Sequence, residues 1–175
     1  MLWVLVGLLG LIAVLLIIAA FRPSRFSVSR SATIAAAPAA VFPHLEDFHR
    51  WQAWSPWEGL DPDMKRTFEG AERGVGAVYG WDGNKKAGAG RMEIVEARAP
   101  EALQIALHFT RPFSANNRID FTVAPVDGGA RVTWEMSGAS PFIMRVFGIF
   151  MPMDKLVGRD FERGLAGLKQ VAEAG

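Results

Sequence analysis

The chain of 175 residues contains no cysteine, which excludes disulfide bridges and thiolate metal ligands alike. It also has no Asn-x-Ser/Thr acceptor for N-glycosylation. Neither sign of charge dominates: 19 basic side chains stand against 18 acidic ones, and no basic cluster follows Arg30. Without a basic stripe to neutralise phosphates, nucleic acid is not expected as a partner. Histidine is sparse, with only His44, His49 and His108. His108 falls on the polar side of its strand. His44 and His49 stand five apart, not at the i, i+4 spacing that puts two zinc ligands on one helix face. No metal and no other cofactor is expected. The glycine runs GVGAVYG (74–80) and AGAGR (87–91) lie among strand-like segments, lack a following Lys-Ser/Thr, and present no helix N-terminus to a phosphate. A G-x-S-x-G nucleophile elbow is missing as well.

The chain does have apolar length. Residues 2–21, LWVLVGLLGLIAVLLIIAAF, carry no charge and no strongly polar side chain. A helix of that length rises roughly 30 Å, the hydrocarbon thickness of a bilayer. A single charge at its centre would cost about 2.5 kcal/mol or more, and none is present. A cleavable signal peptide has a basic start and a shorter apolar stretch, although Ala19 and Ala20 imitate a cleavage site. A single-pass membrane anchor is the expectation, with bilayer lipid as its partner. Arg22, Arg25 and Arg30 follow the run and no basic side chain precedes it, so the positive-inside rule places the rest of the chain in the cytoplasm. The α-amino group of Met1 opposes this weakly. The expected division is an anchor and basic stop over 1–25 and one domain over 26–175.

Within that domain the periodicity changes along the chain. Residues 26–34 alternate, with Phe26, Val28, Ala32 and Ile34 on one side, as in a half-buried strand. Pro38 opens a short helical stretch that Pro43 interrupts, and a second short helix or turn, HRWQAWSPW (49–57), follows. From Met64 to Gly138 period-2 segments alternate with turn residues, predicting an antiparallel sheet with one apolar face. Ser140-Pro141 starts a helix that ends before Pro152. Asp154 is placed to cap a long last helix, 153–174, whose stripe of Val157, Phe161, Leu165, Leu168 and Ala172 can lie across the sheet. Gly158, Gly164 and Gly167 each cost that helix about 1 kcal/mol relative to Ala. Close approach to the sheet or room for a ligand can compensate them.

Strand, short helices, antiparallel strands and a long C-terminal helix is the order of the helix-grip fold. The motifs WSPW (54–57), FEG (68–70), YGWDG (79–83), GAGRMEI (88–94), VTWEMSG (132–138) and GRDFERGLAGLK (158–169) strengthen the match. Over about residues 26–173 the chain resembles the START/Bet v1-like (SRPBCC) superfamily, in its polyketide cyclase/dehydrase-like branch. The resemblance implies an α+β fold in which a curved antiparallel sheet wraps around the C-terminal helix. It leaves function open, because the superfamily holds lipid carriers, hormone receptors, cyclases and oxygenase domains. The oxygenase branch would need a His/carboxylate iron site that this sequence lacks.

Residues on the apolar face are the candidates for lining a ligand pocket. Tyr79 and Trp81 share one strand face, and Met92 belongs to the next strand. Leu107 and Phe109 belong to one inward set, Phe121 to a second, and Trp134 and Met136 to a third. Phe161 comes from the last helix. Trp54, with Trp51 and Trp57, comes from the segment before the sheet. Arg111 joins the inward set if alternation persists to its strand end, and there it could bind a carboxylate or phosphate head group. Paired carboxylates are few: Asp61 and Asp63 flank a proline, and Asp160 and Glu162 diverge on a helix, with Asp160 beside the inward Phe161. Three functions follow: a membrane-anchored binding module for an apolar or amphipathic small molecule, a cyclase/dehydrase-type enzyme using Tyr79 or Arg111, or a structural domain with a filled core.

Overall fold

The computed structural model describes residues 2–175. Helix α1 (Leu2–Ala20) is followed by β1 (Arg25–Ile34), then α2 (Pro38–Val41) and α3 (Pro43–Glu46). A 3-10 turn spans Phe48–Ala53. Six further strands come next: β2 (Lys65–Gly70), β3 (Ala77–Asp82), β4 (Ala89–Arg98), β5 (Ala102–Arg111), β6 (Ala115–Val126) and β7 (Gly129–Ala139). Helices α4 (Phe142–Phe150) and α5 (Met153–Ala174) end the chain. The seven strands form one antiparallel sheet in the order β1-β7-β6-β5-β4-β3-β2, curled around α5, an α+β helix-grip-like fold.

Alternation decides which face the sheet offers to α5. Leu103, Ile105, Leu107, Ile119, Phe121, Val123, Val132, Trp134 and Met136 are all buried on that face. The alternates pair in the open: Ser31 and Thr133 share a 2.8 Å hydroxyl bond, and Gln104 donates to Asp120 at 3.2 Å. Helix α5 sets Phe161, Leu165, Leu168 and Ala172 into the core. Trp134, with no exposed surface, stacks on Phe161 at 4.5 Å between ring centroids and 7° between planes.

The three α5 glycines resolve in favour of close approach. A Cβ on Gly164 would stand 2.7 Å from Trp134 Cζ3, and one on Gly167 would stand 2.8 Å from the Trp54 carbonyl oxygen. Gly158 lies under the Arg30 guanidinium, which would be 2.2 Å from a Cβ there. Arg30 reaches across from β1 to bind Asp154 at 2.7 and 3.0 Å and Glu162 at 2.8 Å. Asp154 therefore does not cap α5: the cap position is Pro152, with no side-chain bond, and Arg30 takes the Asp154 carboxylate instead. Glu162 and Asp160 part as their spacing requires, Asp160 accepting from Arg163 on its own helix.

Register defines the two ends of the sheet. Arg25 opposes Ala139, Asn117 opposes Gly138, Phe109 opposes Ala115, and Asp82 opposes both Lys65 and Ala89. These residues share one end, and it is the end joined to α1 through residues 21–24. The β6–β7 turn at Asp127 lies at the other.

Candidate functional site

Between the sheet and the first half of α5 lies an apolar cavity of about 130 Å³. Its sheet wall is the inward set nearest the α1 end: Tyr79 and Trp81 from β3, Met92 from β4, Leu107 and Phe109 from β5, Ile119 from β6, Trp134 and Met136 from β7. Val157 and Phe161 close it from α5. Trp51, Ser55, Trp57, Glu58 and Met64 supply the wall that comes from the segment before β2, and Ala87 adds the β3–β4 turn. Trp81 can lie flat there because β4 offers Gly90 beneath it: a Cβ at that position would be 2.5 Å from Trp81 Cη2. The indole N–H of Trp81 then donates to the Ala87 carbonyl at 3.1 Å.

One polar cluster faces this apolar space. The Tyr79 hydroxyl donates to Glu58 Oε1 at 2.6 Å, and Arg66 Nε donates to Glu58 Oε2 at 2.7 Å. Arg66 also donates to the Glu58 and Met64 carbonyls, at 3.2 and 2.9 Å. Burial, seconded by the bond to Glu58, pushes the Tyr79 hydroxyl well above the ordinary tyrosine range. Its proton is therefore held in place rather than available for transfer near neutral pH. A second donor stands without an acceptor: the buried Nε1 of Trp134 has no hydrogen-bond partner among the described residues. Leaving such a donor unpaired costs about 1–3 kcal/mol.

Tyr79 is the chain's single tyrosine, so phenolate absorbance reports this site alone. A spectrophotometric titration of the folded protein should show no tyrosinate until well above pH 10. Because the native pKa is raised, the tyrosine's contribution to stability is complete below about pH 10 and is lost as pH climbs beyond it. Tyr79→Phe should remove that alkaline component. Ordinary titration near pH 10 in the folded state would contradict the burial and the bond to Glu58.

Of the residues singled out by sequence, Tyr79, Trp81, Met92, Leu107, Phe109, Trp134, Met136 and Phe161 meet around the cavity, with Trp51 and Trp57. Three do not. Trp54 lies off the cavity, its Nε1 bonded to the His44 carbonyl at 3.0 Å and its backbone against Gly167. Phe121 sits behind Trp134 at 4.9 Å in the filled part of the core. Arg111 leaves the inward set because the β4–β5 ladder slips: Gly90 opposes Phe109 while Ala89 opposes Arg111, so Thr110 is bulged out. The extra residue turns Arg111 to the outer face, where it binds Asp82. Asp61 and Asp63 form no carboxylate pair: Asp61 accepts from the backbone N–H of Asp63 at 3.0 Å and of Asn84 at 2.6 Å, fastening the segment before β2 to the β3–β4 turn. Glu58 and Ser55 escaped the sequence reading because they lie in an aperiodic loop. The only hint was a lone Tyr on an apolar face, which needs a buried partner.

Residues 25–173 match the family described as polyketide cyclase / dehydrase and lipid transport. No curated protein matches the chain. Among solved structures, protein MLL2253 from Mesorhizobium loti superposes with a TM-score of 0.60 at 19% identity, covering 85% of this chain and 98% of that one. A protein from Rhizobium leguminosarum gives a TM-score of 0.62 at 9% identity, over 86% and 96% of the two chains. Ara h 8.0201 gives 0.56 at 13% identity, over 86% and 96%. At these identities the likeness is one of fold.

Proposed function

Because the chain belongs to the polyketide cyclase / dehydrase and lipid transport family, we propose that it is a binding module for a small apolar or amphipathic molecule, held at a membrane by α1. The observation that carries this reading is the cavity: apolar walls with one polar cluster at Glu58 and Tyr79. Binding sites commonly combine apolar walls with a few placed polar groups in this way. At about 130 Å³ the space suits a single ring or a short acyl segment, being close to the roughly 150 Å³ that admits benzene in an engineered apolar cavity. A whole phospholipid does not fit it. The guest is a small molecule, or one end of a longer amphiphile.

The anchor half of the reading rests on α1, where Trp3–Ala20 is long and apolar enough to cross a membrane. In this proposal residues 1–25 form the anchor and residues 26–175 the domain, on the cytoplasmic side because Arg22, Arg25 and Arg30 follow the span. An enzyme of the cyclase or dehydrase type would require a side chain free to move a proton in the cavity. Glu58 instead has both carboxylate oxygens engaged, one of them accepting the Tyr79 hydroxyl hydrogen bond. That geometry favours binding.

Native mass spectrometry of the full chain released from lipid nanodiscs tests the module. The wild type should carry a low-mass apolar adduct, and Leu107→Trp, which fills the cavity, should not. Identical unliganded spectra from both would overturn ligand binding. Loss of the protein from membranes on carbonate washing would overturn the anchor.

A further inference from the structure

Helix α4 exposes what a helix of a water-soluble domain covers. Ile143, Phe147 and Phe150 follow i, i+4, i+7 spacing and are 58%, 61% and 71% exposed. Phe142, Met144 and Met151 are exposed beside them, and Arg145 is the helix's one charged side chain. Contiguous apolar surface of this kind marks a site of contact with a partner or a membrane.

The position of α4 selects the membrane. Arg145 Nη1 donates to the carbonyls of Ala20 at 3.3 Å and Arg22 at 3.2 Å, at the end of α1. Ala19 of α1 is fully buried, and Gly148 of α4 leaves room for Arg22, whose Nη1 would be 3.2 Å from a Cβ there. The chain entering β1 is tied to the chain entering α4 by Ser140 N–H donating to the Ser24 carbonyl at 2.7 Å. Four residues, 21–24, join α1 to β1, a reach of at most about 14 Å. With α1 in the hydrocarbon, α4 is therefore held within the headgroup layer. Arg22 and Arg25, at the same end, suit anionic headgroups there. Two further aromatics are exposed at the same end: Phe21 at 88% and Phe113, in the β5–β6 turn, at 77%.

We infer that α4 lies in the bilayer interface as a second membrane contact, joined by Phe21 and Phe113, and that it turns the cavity end of the sheet toward lipid. This inference rests on the anchor reading of α1 and extends it, because an anchor alone leaves the domain free to turn. The cavity residues Trp81, Ala87, Phe109 and Met136 belong to that end, so a membrane-dissolved guest reaches them with little passage through water.

The absence of cysteine makes single-site labelling clean. Full-length Val14→Cys, Phe147→Cys, Phe113→Cys and Asp127→Cys, each carrying an environment-sensitive fluorophore, would be placed in vesicles of phosphatidylcholine and phosphatidylglycerol. Quenching by lipid-attached nitroxides is compared with quenching by aqueous iodide. Labels at 147 and 113 should be quenched several-fold more by shallow lipid nitroxide than by iodide, and the label at 127 the reverse. If 147 and 113 respond to iodide as 127 does while 14 responds to deep nitroxide, this inference falls and the anchor stands. If 14 also responds to iodide, the anchor falls and takes the inference with it. Shielding of 147 from both quenchers would mean that protein covers α4, which likewise overturns it.

Discussion

Trp134→Ala is expected to destabilise the folded chain by about 3–5 kcal/mol, the largest loss for any single side chain on the sheet. The indole is fully buried and touches aromatic rings on several sides: Phe161 at 4.5 Å, Phe121 at 4.9 Å, Trp57 at 5.4 Å and Trp54 at 5.6 Å between centroids. Deleting it removes this packing and enlarges a cavity that already borders it, so neighbouring groups have little to collapse onto. Thr133→Ala, one residue away on the outer face, loses only the hydroxyl bond to Ser31 and should cost less than about 1 kcal/mol. Denaturant unfolding of the two variants checks the register directly: equal losses would place Trp134 on the wrong face.

Glu58→Ala should cost about 3 kcal/mol, for a different reason. The carboxylate is largely covered and serves two donors, so truncation leaves the Tyr79 hydroxyl with no acceptor and the partly buried Arg66 guanidinium with backbone carbonyls but no counter-charge. Glu58→Gln, which keeps one oxygen and the shape, should fall between wild type and Glu58→Ala. Tyr79→Phe removes only one neutral donor and should cost about 1 kcal/mol. If Glu58→Ala unfolds at the same denaturant concentration as Tyr79→Phe, the ion pair contributes nothing and the site is held by packing alone.

The elements of this fold were legible because they are periodic. Leu103, Ile105 and Leu107, or Val132, Trp134 and Met136, each repeat at two, and α5 repeats its apolar side chains at helical spacing, so face and order follow from the residues. Depth does not follow in the same way. Phe121 and Leu107 face the same side of adjacent strands, yet one is packed behind Trp134 and the other borders open space. What separates them is where the Trp51–Trp54 segment and α5 fill the curl, and period-2 alternation carries no information on that. Arg111 shows the second limit: a single bulged residue, Thr110, reverses every facing beyond it, and sequence alternation alone does not reveal the slip. Glu58 shows the third, since a loop carboxylate becomes part of a site only through a partner 21 positions further along the chain.

Asp61 ties two stretches of chain that each contribute to one side of the cavity. Its two oxygens are shared between the N–H of Asp63 and the N–H of Asn84, and Asn84 in turn accepts from the N–H groups of Lys86 and Ala87. Because these bonds, with Asn84 Nδ2 donating to the Leu60 carbonyl at 3.3 Å, join both stretches, that side of the chamber is expected to open as one cooperative unit rather than by piecemeal fraying. The amide protons of Asp63 and Asn84 should then exchange with solvent at a common rate, measurable by hydrogen exchange. Under the binding function proposed above, a guest that enters through this wall would have its residence time limited by that rate, set by a carboxylate outside the cavity lining.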